Sequence, residues 1–314
     1  TFTYRFGYDY TDYDLKIGSP QIDVDASLIN EDYGYSPTNM DQSGYVYTRY
    51  LRKYELNHDF LLNWHTQYLD KRLDVNLNIG ANICERYQTY TEGKTSDLTF
   101  DTGFWDLSNG STKTTLGEDQ YKRRSVGLFG DMVLGWDDLR FLDLTARNDW
   151  SSTLPINADS YFYPGATLSW IFTKLLPVNN ILDFGKLRLA YGRTGNDADV
   201  YETGTSYEQA YANGYYGSDI AKFPMNGTNA FQASSTIGSS TLKPEMTTEF
   251  EIGTNLSFFQ NRINLDFDFY HRITNNQIFT LPVDPSTGYN YMVTNFGKVR
   301  NQGIELLVNT TPIK

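Results

Sequence analysis

Apolar and polar residues take turns along this chain with a period of two, and the polar partners include many full charges. Leu73, Val75, Leu77, Ile79, Ala81 and Ile83 oppose Asp74, Asn76, Asn78, Gly80 and Asn82. At the start of the chain, Phe2, Tyr4, Phe6, Tyr8 and Tyr10 oppose Thr1, Thr3, Arg5, Gly7 and Asp9. Similar runs recur near residues 59–68, 126–136, 142–147, 187–192, 249–258, 263–273 and 304–309. Two is the side-chain period of a β-strand, and helical spacing fits none of these runs. The pattern predicts an all-β chain of about ten antiparallel strands.

The two faces of these strands make opposite demands. One carries Asp59, Asn63, His65, Asn76, Asn78, Arg147, Arg188, Glu249, Glu251, Asp266, Asp268 and Arg272. Unpaired charge is costly to bury, so this face must meet water, a plug or opposite charge. The other face is apolar and must be covered by a second sheet or by lipid.

Connection lengths favour lipid. Short connections are expected near 69–72, 137–140 and 259–262, and a medium one near 173–185. Long ones are expected near 11–44, 85–124, 150–160, 196–246 and 275–302. Short and long alternate, as periplasmic turns and outer loops do in an outer-membrane barrel. A soluble sandwich has no reason to keep this order. The expected fold is therefore an antiparallel transmembrane β-barrel, with lumen-facing Asn76, Asn78, Arg147, Arg188, Glu251, Asp266 and Asp268. Trp136, Trp150, Tyr161, Tyr163, Trp170 and Phe172 near strand ends are expected in the aromatic girdles.

Other chemistry is thin. A net charge of −12 argues against a nucleic-acid partner. The lone Cys84 excludes an intramolecular disulfide and is expected to be a small packed residue. No run approaches the roughly 18 apolar residues of a transmembrane helix, which a barrel does not need. His58, His65 and His271 are scattered, and Asp23, Asp25 and Asp32 miss the calcium-loop spacing. No catalytic residue, metal or cofactor is expected. Glu249/Glu251 and Asp266/Asp268 are expected to pair with Lys186, Arg188 or Arg147. The long loops hold aromatics suited to sugar stacking or peptide contact: Trp105, Tyr211, Tyr215, Tyr216, Tyr289 and Tyr291.

Several stretches resemble the SusC/RagA-type TonB-dependent outer-membrane transporters of Bacteroidetes. They are FGDMVLGWDDLRFLDLTARNDWSSTLP at 129–155, YFYPGATLSWIFTK at 161–174 and KLRLAYGRTGND at 186–197. LKPEMTTEFEIGTNLSFFQNRINLDFDFYHRITNNQIF at 242–279 and NFGKVRNQGIELLVN at 295–309 continue the match. Residues 1–125 match more loosely, mainly through HDFLLNW at 58–64. The resemblance implies a 22-stranded barrel in the cell outer membrane, its lumen plugged. It also implies an N-terminal plug, a TonB-binding segment and a SusD-like lipoprotein over the outer opening. All 314 residues are then expected to belong to the barrel domain, with plug and TonB-binding segment absent from this stretch. The implied function is TonB-dependent import of an oligosaccharide or oligopeptide, without enzymatic activity. A soluble carbohydrate-binding β-sandwich and an outer-membrane barrel enzyme are the competing readings.

Overall fold

The computed structural model describes residues 1–22, 42–100, 103–111, 114–177, 181–213, 219–223 and 225–311. Its strands are, in chain order, β1 (Phe2–Ile22), β2 (Gln42–Tyr68), β3 (Leu73–Ser96), β4 (Thr115–Trp136), β5 (Arg140–Ser151), β6 (Ser160–Trp170) and β7 (Leu182–Asn196). Five short strands follow: β8 (Tyr207–Gln209), β9 (Tyr211–Asn213), β10 (Asp219–Lys222), β11 (Phe231–Ala233) and β12 (Thr236–Ile237). The last are β13 (Glu245–Phe258), β14 (Ile263–Asn275), β15 (Ile278–Pro282), β16 (Tyr291–Asn295) and β17 (Lys298–Thr310). Ten of them form one sheet in the order β1-β2-β3-β4-β5-β6-β7-β13-β14-β17. Successive wall strands are antiparallel neighbours, as the alternating turns and loops require.

Register confirms the two faces. Phe250, Ile252, Thr254 and Leu256 on β13 stand opposite Tyr191, Leu189, Leu187 and Gly185 on β7. They stand opposite His271, Phe269, Phe267 and Leu265 on β14. This apolar side is open: Leu128 is 53% exposed and Phe267 is 38% exposed. A sandwich would have buried both between two sheets.

The short turns use left-handed backbone. Leu69, Asp70 and Lys71 have φ of 52, 54 and 69°, and Phe259, Gln260 and Asn261 have 56, 60 and 61°. Asp137 and Asp138 do the same at 52 and 51°. Left-handed turn residues match the right-handed twist of the strands they join. Neighbouring turns are tied together: Arg72 donates to both Asp137 carboxylate oxygens at 2.7 and 2.8 Å. The Asp137 amide returns a bond to the Arg72 carbonyl at 2.8 Å.

The chain divides into two compact units. One comprises Thr1–Arg5, His58–Ile83 and Arg124–Lys314, and the other Phe6–Asn57 and Cys84–Arg123. In the second unit, Val46, Thr95, Leu98 and Asn109 are buried. The Asn109 side chain donates to the carbonyls of Phe100 and Phe104, each at 2.8 Å. Cys84 is buried, with its thiol 3.7 Å from the Glu55 carboxylate.

Several expected boundaries are corrected. Residues 11–22, 85–96 and 115–124, expected as loop, are strand. Apolar alternation fails there because polar cross-strand bonds hold the ladder, such as Tyr47 to Glu92 at 2.7 Å and Tyr90 to Asp119 at 2.5 Å. Among the described residues of the long connections 196–246 and 275–302 are seven short strands, β8–β12, β15 and β16. Of the expected girdle aromatics, Tyr161 and Tyr163 are instead drawn into a packed cluster among the loops. Asp23, Asp25 and Asp32 lie outside the described residues.

Candidate functional site: the polar face and the loop cap

The polar face is a cross-strand network. On β2 and β3, Asn63 donates to Asn78 at 2.5 Å, and Asn78 donates onward to Asp131 of β4 at 2.8 Å. Asn76 donates to Asp74 at 2.8 Å, and Asp74 also meets His65 at 3.0 Å. Arg147 grips Asp149 at 2.8 Å and lies 5.3 Å from the centre of the Phe129 ring. Arg188 of β7 reaches Asp266 at 3.1 Å and Asp268 at 2.7 Å, both on β14. The expected pairing of Asp266/Asp268 with Arg188 is therefore present.

That pair skips a strand, and glycine makes the skip possible. Gly253 on β13 stands between Arg188 and Asp268 in the register. A Cβ on Gly253 would lie 2.9 Å from an Arg188 nitrogen and collide with the Asp268 carboxylate. Gly80 similarly lies beneath the Phe129 ring and 2.9 Å, by its ideal Cβ, from Leu61. Large side chains thus lie flat across the wall where a small residue leaves room.

Glu249 pairs with Arg272 at 2.8 Å, rather than with Lys186, Arg188 or Arg147 as expected. The reason is register, which sets Arg272 directly opposite Glu249. Glu251 stands opposite Tyr270 and lines a groove of about 250 Å³ with Glu249, Asp143, Thr145, Thr167 and Gly192. His271 falls on the apolar side and meets Gln302 at 3.2 Å.

Above the first unit's wall, three connections pack into a cap. Leu154, Tyr161, Ala198, Leu242, Met246 and Val293 form its buried core, with Tyr163 and Ile278 against it. Leu242 has no exposed surface. A buried polar cluster ties two of the connections: Asp197 accepts from the hydroxyls of Ser151 and Thr153, the latter at 2.9 Å. β12 joins β15 and β16 in a three-stranded sheet, with β12 and β16 parallel. Nearby, burial raises the Glu202 carboxyl above the usual range, and the Asp199 charge adds to this.

The proposed contact aromatics are spread over both units. Trp105 is half-buried, with its ring lying over Gly18 in the second unit. In the first unit, Tyr211 stands opposite Lys222 in the β9–β10 ribbon. Tyr289 is half-buried behind the Asp284–Gly288 turn, and Tyr291 of β16 is 45% exposed. Tyr215 and Tyr216 lie outside the described residues. Sequence reasoning missed Ser151, Thr153 and Asp197, because polar residues at a strand's end and in the connections carry no periodicity. No cluster suited to a metal ion occurs among the described residues. None of their helices is long and apolar enough to cross a membrane, which says nothing of crossing by strands.

The model of the family "TonB dependent receptor-like, beta-barrel" matches residues 1–311. The chain belongs to this family. A TonB-dependent receptor of Formosa agariphila is 29% identical over 244 residues, covering 75% of this chain and 23% of the relative. The TonB-dependent receptor SusC of Bacteroides thetaiotaomicron is 27% identical over 193 residues, covering 60% of this chain and 18% of SusC. A chain of the RagAB peptide transporter superposes with a TM-score of 0.80 at 20% identity, covering all of this chain and 32% of that one. The chain thus spans between about a fifth and a third of these relatives' lengths. As a TonB-dependent receptor barrel, similar in sequence to SusC and in fold to RagAB, it is an outer-membrane protein, and its ten-stranded sheet is part of a larger barrel wall. Its relatives carry receptor names rather than enzyme names. The soluble sandwich is set aside by the fold.

Proposed function

We propose that these residues form part of the wall of a TonB-dependent importer that carries an oligosaccharide or oligopeptide across the outer membrane. The observation that carries this reading is the pairing of an open apolar face with a polar face whose charges are joined strand to strand. An apolar face this open suits hydrocarbon, and a charged face suits a wet passage. Asn76, Asn78, Arg147, Arg188, Glu251, Asp266 and Asp268 then face the lumen. The likeness to RagAB, named as a peptide transporter, supports the import of a large nutrient.

The same reading assigns a SusD-like lipoprotein to the outer loops and coupling to the TonB complex through a plug outside these residues. Trp105, Tyr211, Tyr215, Tyr216, Tyr289 and Tyr291 supply the contact surface for substrate or lipoprotein. The test is uptake of fluorescent oligosaccharides and oligopeptides by cells carrying the full-length protein. Deleting TonB should abolish uptake; continued uptake would identify a passive pore and overturn the proposal.

A further inference from the structure

The apolar face is not uniformly filled. A groove of about 330 Å³ runs along it, lined by Ile79, Leu128, Gly130, Ala146, Asn148 and Phe162, with the backbone of Phe129 and Arg147 beneath. Ile79, Leu128 and Phe162 form its sides and are 44%, 53% and 54% exposed. The floor is low because Gly130 of β4 stands opposite Ala146 of β5.

The protein's own packing does not require that low floor. A Cβ on Gly130 would approach nothing closer than the Asn78 carbonyl oxygen at 3.8 Å, an ordinary contact. Gly80 and Gly253 on the polar face differ in lying under a neighbour's side chain, while Gly192 there is also open. The space over Gly130 is thus open to an occupant from outside the fold.

Height selects the occupant. Gly130 is six residues from Trp136 at the short-turn end of β4. At about 3.3 Å per residue and a tilt near 40°, that is about 15 Å above the periplasmic rim of an apolar band roughly 25 Å tall. The groove therefore rises through the outer-leaflet half. At its upper end, Asn148 donates to Ser160 at 3.0 Å, with Trp150 close by in sequence. An amide, a hydroxyl and an indole at that level suit the polar linkage of a lipid whose chain points down.

We propose that this groove is a seat for one acyl chain of an outer-leaflet lipid. The chain lies over Gly130 and Ala146 between Ile79 and Phe162, with its ester or amide linkage at Asn148 and Ser160. The groove is continuous with the open apolar face, which the proposed function turns toward lipid.

The experiment uses the full-length receptor in bilayers containing a lipid with a diazirine on its acyl chain, followed by peptide mapping of the crosslinks. Adducts at Ile79, Leu128 and Phe162 should exceed those at Phe267 and Phe269 on β14 by at least threefold. Gly130→Leu, which fills the groove without touching the backbone, should erase that excess while the barrel keeps its heat-modifiable mobility on gels. Ala146→Leu provides the same test if Gly130→Leu does not fold. Adducts spread evenly along the apolar face, or an excess that survives either filled groove, would overturn the proposal.

Discussion

Gly253 is where one missing methyl group lets two distant strands share a charge pair. Arg188 and Asp268 meet above it at 2.7 Å, and any side chain there would push them apart. Gly253→Val should therefore destabilise the barrel by about 1–3 kcal/mol, the range for overpacking at a filled position. Urea unfolding of the full-length protein in lipid vesicles measures this, and an unchanged midpoint would count against the bridge as a structural element. Asp137 makes a second prediction at this scale. Its carboxyl is held below the usual carboxylate range, first by the hydrogen bonds from Arg72 and then by that guanidinium's charge. A depressed folded-state value means stabilisation that is present above the unfolded-state value and lost as pH falls through the folded one. The wild type should thus lose more stability than Asp137→Asn between neutral and strongly acidic pH. High salt should shrink the difference, because the pair is at the surface.

Among the elements, the loop cap gathers connections that are far apart in sequence. Leu242, Met246 and Val293 come from two different connections or their strand ends, yet share one core. Leu242→Ala should cost the cap about 2–5 kcal/mol, the usual range for emptying a fully buried leucine site. Its effect should appear as faster proteolytic nicking within 197–244 and 276–297, with the wall strands still resistant. Nicking at an unchanged rate would show that these connections fold separately. The wall strands were legible in the sequence because Leu73 to Ile83 and Ile263 to Ile273 must alternate to place apolar groups on one side. The cap was not legible. Leu242 sits beside Lys243 and Pro244 in no periodic run, and its burial depends on partners some 50 to 90 positions away in the chain, Val293 and Leu154. The strand extensions beyond Ile83 and before Arg124 escaped for a related reason. Residues held by hydroxyls and carboxylates, such as Tyr90 and Asp119, need no alternation of greasy side chains.

At the level of the whole molecule, the assignment of faces is open to a direct comparison. Phe267 lies mid-strand on the apolar side, opposite Thr254 and Leu306. Phe267→Arg should cost about 2–4 kcal/mol, as cations do at the midplane of a lipid-facing barrel surface. Thr167 lies on the polar side opposite Asp143. Thr167→Arg should change stability by no more than about 0.5 kcal/mol, as substitutions do where water and a countercharge are at hand. Equal penalties for the two would mean that the faces are wrongly assigned, and the importer reading would fall with them. The polar side was foreseen from charge placement alone. The partner chosen by Glu249 was not, because it depends on a register that places Arg272 across from it.

The join between β6 and β7 has a consequence of its own. The two strands pair over only six positions, from Gly165 with Gly192 down to Trp170 with Leu187. β6 pairs with β5 over its full length, so the shortfall is on one side only. Pro164, with no amide hydrogen to offer, stands where the ladder to β7 stops. Higher up, the seam is closed by the Tyr161 ring resting on Gly195. A zipper with teeth along only part of its length opens from the unfastened end. Among the joins from β4 to β17 it has the shortest ladder, and lateral tension there should part it from the loop end first.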